Sequence, residues 1–73
     1  MSLELAIKML RKSLNKSVIV KVKGGRLIRG SLIGFDEHLN LVLKEAEFIH
    51  GETEQIGNIV LRGDNVILIS PTQ

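Results

Sequence analysis

The chain has no cysteine, no tryptophan and no tyrosine, and it contains a single proline. Without cysteine, neither a disulfide nor a thiolate metal site can stabilise the fold. No apolar run approaches the ~20 residues of a membrane-spanning helix. Residues 1–14 include a glutamate and lack a long apolar centre, so we expect no secretory signal. Together these absences favour a soluble, cytoplasmic protein.

The length of 73 residues predicts a single domain, residues 1–73. A domain of ~60 residues buries only about 60% of the surface that its unfolded chain exposes, so a lone copy would be marginally stable. Yet 44% of the residues are apolar, and some of the predicted strands are apolar on both faces. We therefore expect copies of the chain to associate.

The charges are divided unevenly along the chain, although the net charge is only +2. Residues 1–30 carry eight lysines or arginines and one glutamate, whereas residues 31–73 carry two basic and seven acidic residues. This division predicts one basic surface, which would attract phosphate groups. The alternative is that these side chains are simply the solvated outer faces of a helix and two strands.

The N-terminal residues have the spacing of an amphipathic helix, over about residues 3–14. Apolar side chains recur at intervals of four, three and four, at Leu3, Ile7, Leu10 and Leu14. Ser2 is suited to cap the start of this helix and Asn15 to end it. We expect the apolar stripe to cover one open end of a small β core.

Beyond residue 16 the sequence alternates between strands and turns. Strands are predicted over about residues 18–23, 26–35, 40–49, 55–61 and 66–70, with a polar loop at 50–54. Gly24-Gly25 predicts a hairpin turn, and Gly30 and Gly34 allow the long second strand to bend. One helix followed by five bent antiparallel strands indicates a mainly β fold, a small open barrel.

Two polar corners interrupt the apolar strands. They are Asp36-Glu37-His38-Leu39-Asn40 and Arg62-Gly63-Asp64-Asn65. The corners supply carboxylates, an imidazole, an amide, a guanidinium and free backbone groups. Such a set suits the binding of a nucleotide better than it suits catalysis.

The strands on either side of the second corner, residues 59–61 and 66–69, are apolar on both faces. A domain of this size cannot bury both faces, and exposed edges of this kind aggregate unless they are paired. Head-to-tail pairing of one edge with the other edge of the next copy closes into a ring when the rotation allows. We therefore expect a ring of identical subunits.

Both corners lie in segments that resemble the two sequence motifs of the Sm family. About residues 17–50 resemble the first motif. The residues that carry this resemblance are Val20-Lys21-Val22-Lys23-Gly24-Gly25-Arg26, Gly30-Ser31-Leu32 and Phe35-Asp36-Glu37-His38-Leu39-Asn40-Leu41-Val42-Leu43. The second, about residues 55–70, is similar to Ile59-Val60-Leu61-Arg62-Gly63-Asp64-Asn65-Val66. The short loop before the second motif resembles archaeal Sm-like proteins, whereas the bacterial Hfq branch differs in that motif.

The resemblance covers about residues 3–71 and carries expectations for fold and function. It implies the Sm fold, a strongly bent five-stranded barrel behind an N-terminal helix. It also implies a ring, usually of seven copies and alternatively of six, that binds uridine-rich single-stranded RNA around its central pore. Such a protein would act in RNA metabolism or ribonucleoprotein assembly.

The resemblance further implies which residues would contact RNA. His38 would stack on a base, and Asn40 would read the edge of uracil. Arg62 would pack over the base or meet a phosphate, and Gly63 would let the backbone approach the base. These roles fit an imidazole that stacks, an amide with a donor and an acceptor, and a planar guanidinium.

The resemblance implies that two carboxylates, Asp36 and Asp64, hold Asn40 and Arg62 in place. Either Asp36, or Asp64 reaching from the other turn, is expected to fix the orientation of the Asn40 amide. The chain departs from many members of the family at the stacking position, where they have tyrosine or phenylalanine. A histidine stacks over a smaller area, so affinity for a single nucleotide would be lower. The two phenylalanines of the chain are interpreted as core residues: Phe35 and Phe48.

Catalysis and metal binding lack the residues that they would need. His38 and Asp36 have no accompanying nucleophile or second base, and His38 and His50 lie twelve residues apart without a cysteine. We therefore expect no enzymatic activity, no cofactor and no metal site. The remaining alternative is a small barrel that acts as a protein-interaction scaffold without specific RNA binding.

Overall fold

One helix precedes five antiparallel strands in the computed structural model, which describes residues 2–72. The elements are α1 (Leu3–Lys12), β1 (Ser17–Val22), β2 (Leu27–Phe35), β3 (Leu41–His50), β4 (Glu52–Leu61) and β5 (Val66–Pro71). The predicted fold class, an N-terminal helix followed by a bent five-stranded antiparallel sheet, is confirmed. Within the described residues, the helix is too short and too polar to cross a membrane.

The helix α1 begins as predicted and ends two residues early. Ser2 caps it, because its hydroxyl oxygen accepts a hydrogen bond from the Leu5 N–H at 3.2 Å. The last helical residue is Lys12, and Ser13 caps the end through its N–H and its hydroxyl group. Asn15 lies beyond the helix and adopts a left-handed φ of 65°, which turns the chain towards β1.

The strands β4 and β5 follow one another in the chain but lie at opposite edges of the sheet, whose order is β4-β3-β2-β1-β5. The residues between them form a short 3-10 turn, Gly63–Asn65, that carries the chain from one edge to the other. The two strands therefore do not form a local hairpin. Within residues 2–72, each has a sheet partner on one side only.

The sheet bends where the neighbouring strands β2 and β3 approach each other closely. A Cβ on Gly30 would lie 3.2 Å from the Cβ of Leu43 and 3.3 Å from the Cα of Ala46. The register of β2 against β3 shifts at Gly30 and again before Gly34. The expectation that Gly30 allows the second strand to bend agrees with this register shift and close approach.

The prediction of a polar loop at residues 50–54 is wrong. The strand β3 continues to His50 and β4 starts at Glu52, so the turn is made by Gly51, which has a φ of 57°. Glu52 pairs with His50, and Glu54 pairs with Phe48. Residues 50–56 are exposed, so their polar side chains stay solvated while the backbone remains in the sheet.

The core combines the central strands with one residue of the helix. Its buried members are Leu10, Val18, Val20, Ile28, Leu32, Leu41, Leu43 and Ala46. Phe35 and Phe48 pack against this cluster but are only half-buried, and the Arg26 guanidinium lies 3.5 Å from the centre of the Phe48 ring. Both phenylalanines therefore lie at the margin of the core.

Candidate RNA interface

The two polar corners, separated in sequence, meet in the structure. The Asn40 side-chain oxygen accepts a hydrogen bond from the Gly63 N–H at 2.8 Å. A Cβ on Gly63 would run into the carbonyl oxygen of His38. Only glycine therefore lets the turn at residues 62–65 pack against the turn at residues 36–40 without a shift of the backbone.

Asp36 organises the first turn through both of its carboxylate oxygens. One accepts hydrogen bonds from the N–H groups of His38 and Asn40, at 2.9 and 3.0 Å. The other accepts from the side-chain nitrogen of Asn40 at 2.9 Å. This side-chain hydrogen bond from Asn40 is the largest cause that lowers the pKa of Asp36 below its ordinary value of 3.8. Desolvation opposes the shift, and the two backbone hydrogen bonds reinforce it.

The lowered pKa of Asp36 predicts a loss of stability in acid. Because this pKa is lower in the folded than in the unfolded chain, the ionised carboxylate stabilises the turn above about pH 4, and that contribution disappears as the pH falls through the folded value. We expect the free energy of unfolding of the wild type to fall more steeply below about pH 4 than that of Asp36→Asn. Denaturant titrations at several pH values measure this, with the exposed Glu54→Gln as control. Parallel curves for wild type and Asp36→Asn would contradict it.

The amide of Asn40 is held in one orientation. Its oxygen faces the Gly63 N–H, a fixed donor, and its nitrogen faces the Asp36 carboxylate, a fixed acceptor. Rotation of the amide by 180° would oppose donor to donor and acceptor to acceptor. One side-chain N–H and one oxygen lone pair remain unused by these two contacts. These remaining groups match a ligand that presents an N–H next to a carbonyl oxygen, as uracil does.

Arg62 follows directly after β4 and lines the same groove as Asn40. This shallow groove is lined by Gly34, Phe35, Asp36, Asn40, Val42, Val60 and Arg62. Asp64 carries the carboxylate nearest to Arg62, with 3.2 Å between oxygen and nitrogen, and both side chains are exposed. Asp64 thus contacts Arg62 and Asp36 contacts Asn40, whereas the role of each contact in RNA binding stays a prediction.

His38 is not among the residues that line this groove. Its side chain is 76% exposed, and its Nε2 is 3.7 Å from a carboxylate oxygen of Glu37. The backbone of His38 is held by Asp36, which accepts a hydrogen bond from the His38 N–H. The stacking role of His38, like the other roles in RNA binding, stays a prediction.

Two features of this interface escaped the sequence analysis. Leu39 has a left-handed φ of 62° and turns its chain between His38 and Asn40. The only sequence signal was an apolar residue inside an otherwise polar corner. In addition, the Lys23 N–H donates to the Asn65 carbonyl oxygen at 2.9 Å, which places the basic turn between β1 and β2 next to the second corner.

Known proteins are similar to this chain over most of its length. The family model described as the LSM domain matches residues 8–71. A protein of Methanococcoides burtonii, described as snRNP Sm-like, is 55% identical over 64 residues, which cover 85% of this chain and 89% of the relative. A protein of Thermococcus kodakarensis with the same description is 49% identical over 72 residues, covering 96% of this chain and 95% of the relative.

Solved structures are similar over nearly the whole chain. A heptameric archaeal Sm protein superimposes with a TM-score of 0.86 at 43% identity, covering 90% of this chain and 98% of the other. The Pyrococcus abyssi Sm protein, solved in complex with a uridine heptamer, superimposes with a TM-score of 0.85 at 51% identity, covering 90% and 96%. The matched family model, the sequence identities and the shared fold together show that this chain belongs to the LSM-domain, or Sm-like, family.

Proposed function

We propose that this chain forms a ring, of seven copies, that binds uridine-rich single-stranded RNA at its central pore. Its role is in RNA metabolism or ribonucleoprotein assembly. The observation that carries the proposal is the Asn40 amide, fixed between Asp36 and Gly63 with a donor and an acceptor left for a base. A similar protein of known structure is heptameric, and another is in complex with a uridine heptamer, which supports both the assembly and the ligand.

The edges of the sheet support ring formation. The strands β4 and β5 lie at opposite edges, so β4 of one copy can pair with β5 of the next. Large apolar side chains are exposed on both strands, with Val60 on β4 at 68% and Ile67 on β5 at 55%. Pairing between copies would satisfy the backbone and cover these side chains. A ring of six copies is the alternative size.

Each residue of the interface has a distinct proposed role. Asn40 reads uracil, His38 stacks on the base, and Arg62 covers the base or meets a phosphate. Gly63 keeps the backbone close enough for the turns to pack and for the base to approach. The carboxylates hold these groups: Asp36 orients Asn40, and Asp64 orients Arg62.

The role is one of binding, without catalysis and without a cofactor, and we place the protein in the cytoplasm. Among residues 2–72, no three histidines or acidic residues converge on a common metal position.

The second candidate is a ring that acts as a protein scaffold. The exposed apolar edges favour assembly in either case, whereas the oriented Asn40 favours RNA.

Binding of oligouridine to the purified ring tests the proposal. We expect affinity, measured by fluorescence anisotropy, to fall as salt rises, because the basic half of the chain displaces counterions from phosphates. Absorbance gives a simple first check: without tryptophan or tyrosine the protein barely absorbs at 280 nm, so co-purified RNA dominates at 260 nm. An intact ring that binds no oligouridine at low salt would contradict the proposal and leave the scaffold function.

A further inference from the structure

Leu39 has a backbone conformation that its residue type disfavours. Its φ of 62° lies in the left-handed region, which glycine adopts freely and asparagine tolerates. A leucine there is strained, and such strain persists only where the surrounding structure imposes it. Glycine or asparagine would make the same turn with less strain, so the leucine side chain must contribute something that these residues lack.

The side chain of Leu39 is anchored beneath the turn. It is half-buried and packs against the core, in a polar segment where Glu37 and His38 are exposed. It lines an apolar cleft with Leu10 of α1 and Val66 of β5. The neighbouring turn approaches its peptide group, since a Cβ on Gly63 would lie 2.9 Å from the carbonyl carbon of Leu39.

The residues on either side of Leu39 have opposite environments. The His38 side chain is 76% exposed, whereas the Asn40 side chain is part-buried and hydrogen-bonded at both ends of its amide. The left-handed residue between them is where the chain reverses. The position of the Leu39 side chain therefore determines how the exposed His38 side chain is oriented relative to the Asn40 side chain, which is held by hydrogen bonds.

We propose that Leu39 is a positioning residue for base recognition. Its side chain, seated in the cleft, fixes the turn so that Asn40 faces a base in the correct orientation before RNA arrives, with His38 placed beside it. Leu39 itself does not touch the base. The proposal rests on the proposed function, because it concerns the discrimination of uridine, and it adds a residue that acts through the backbone.

Three substitutions at residue 39 distinguish the effect of its apolar side chain from the effect of its left-handed backbone conformation. Leu39→Gly and Leu39→Asn accept the left-handed φ but remove the apolar anchor, whereas Leu39→Met keeps an apolar side chain of similar volume. We expect the first two to lower oligouridine affinity about tenfold and to narrow the ratio of oligouridine to oligoadenosine affinity, since the reading group is misplaced. Leu39→Met should stay within about twofold of the wild type for both. Asn15→Gly, at the left-handed residue after α1, is the matched control and should change neither.

Native mass spectrometry of each variant shows whether the ring is intact. If the Gly and Asn variants bind both oligomers as the wild type does, or lose affinity for both equally, Leu39 does not position the reader. A wild type that binds no oligouridine would instead overturn the proposed function.

Hydrogen exchange on the wild-type ring tests whether the turn is ordered before RNA binds, even if the variants fail to assemble. The N–H groups of His38, Asn40 and Gly63 are hydrogen-bonded in the turns. An anchored turn should protect all three without RNA. Rapid exchange that slows only when oligouridine is added would show that RNA, and not Leu39, orders the turn.

Discussion

Replacement of Asn40 by alanine should remove most of the preference for uridine while leaving the ring intact. The variant loses the fixed donor and acceptor that match the uracil edge. Loss of a bidentate base contact costs ~1–3 kcal/mol of discrimination in groove readout, so we expect oligouridine affinity to fall by roughly 5- to 150-fold. Oligoadenosine affinity should fall much less, and the gap between the two should shrink. Fluorescence anisotropy with both oligomers at one salt concentration measures the change.

Two further variants make this result specific. Asn58→Ala is the matched control, because the Asn58 amide also accepts a backbone N–H, that of Glu45, but lies on β4 away from the corners. It should leave both affinities unchanged. Arg62→Ala should weaken both oligomers together, since a guanidinium over a base or near a phosphate carries little sequence information. An unchanged ratio of affinities in Asn40→Ala would leave Asn40 as a residue that only joins the two turns.

A single lysine on either sheet edge should abolish the ring. Val60 on β4 and Ile67 on β5 are exposed here, and both would be covered in a head-to-tail contact. Val60→Lys or Ile67→Lys would bring a charge into that contact, which is how natural edge strands avoid pairing. Native mass spectrometry at micromolar concentration should show monomers in place of rings. Ile33→Lys is the control, because Ile33 is a similarly exposed apolar residue on the inner strand β2.

A mixture of the two edge variants tests the head-to-tail arrangement itself. Val60→Lys keeps a normal β5 edge, and Ile67→Lys keeps a normal β4 edge. Each variant should be monomeric alone. The two together should form a one-to-one heterodimer, in which the unaltered β5 edge of Val60→Lys pairs with the unaltered β4 edge of Ile67→Lys. A two-fold symmetric contact would give a different result, because it joins the same edge of both copies: the variant with that edge unaltered would dimerise alone, and the mixture would form no heterodimer. Rings that survive in both single variants would show that assembly uses another surface.

Local features of the sequence predicted the parts of the molecule that depend on local interactions. The Ser2 cap follows from residue type and spacing. The contact of Asp36 with Asn40 lies within one turn, although it was the resemblance to the Sm motifs, and not the spacing, that implied a supporting role for Asp36. The strands followed from their apolar runs, and the resemblance to the Sm motifs supplied the bent barrel. These elements needed no knowledge of where distant segments would meet.

Other features arise only when distant segments pack together. The crowding of Gly63 against His38 joins residues from different turns, so neither turn reveals it alone. The left-handed Leu39 is likewise stabilised by a cleft that α1 and β5 complete. The hairpin at Gly51 was misjudged for a different reason: a polar composition is typical of loops, but it is equally suited to an exposed pair of strands.

The crossing turn at residues 62–65 joins β4 to β5 and also belongs to the proposed RNA interface. In a ring, residues 62–65 would therefore connect the β4 edge, which pairs with one neighbouring copy, to the β5 edge, which pairs with the other. If RNA binds this turn in the ring, as proposed, it would bind the assembled form in preference to the separate subunits. A ligand of that kind shifts the equilibrium towards assembly. Subunits should then exchange slowly between rings that hold RNA and faster between rings without RNA. Bound RNA would thus keep the same subunits together in one ring.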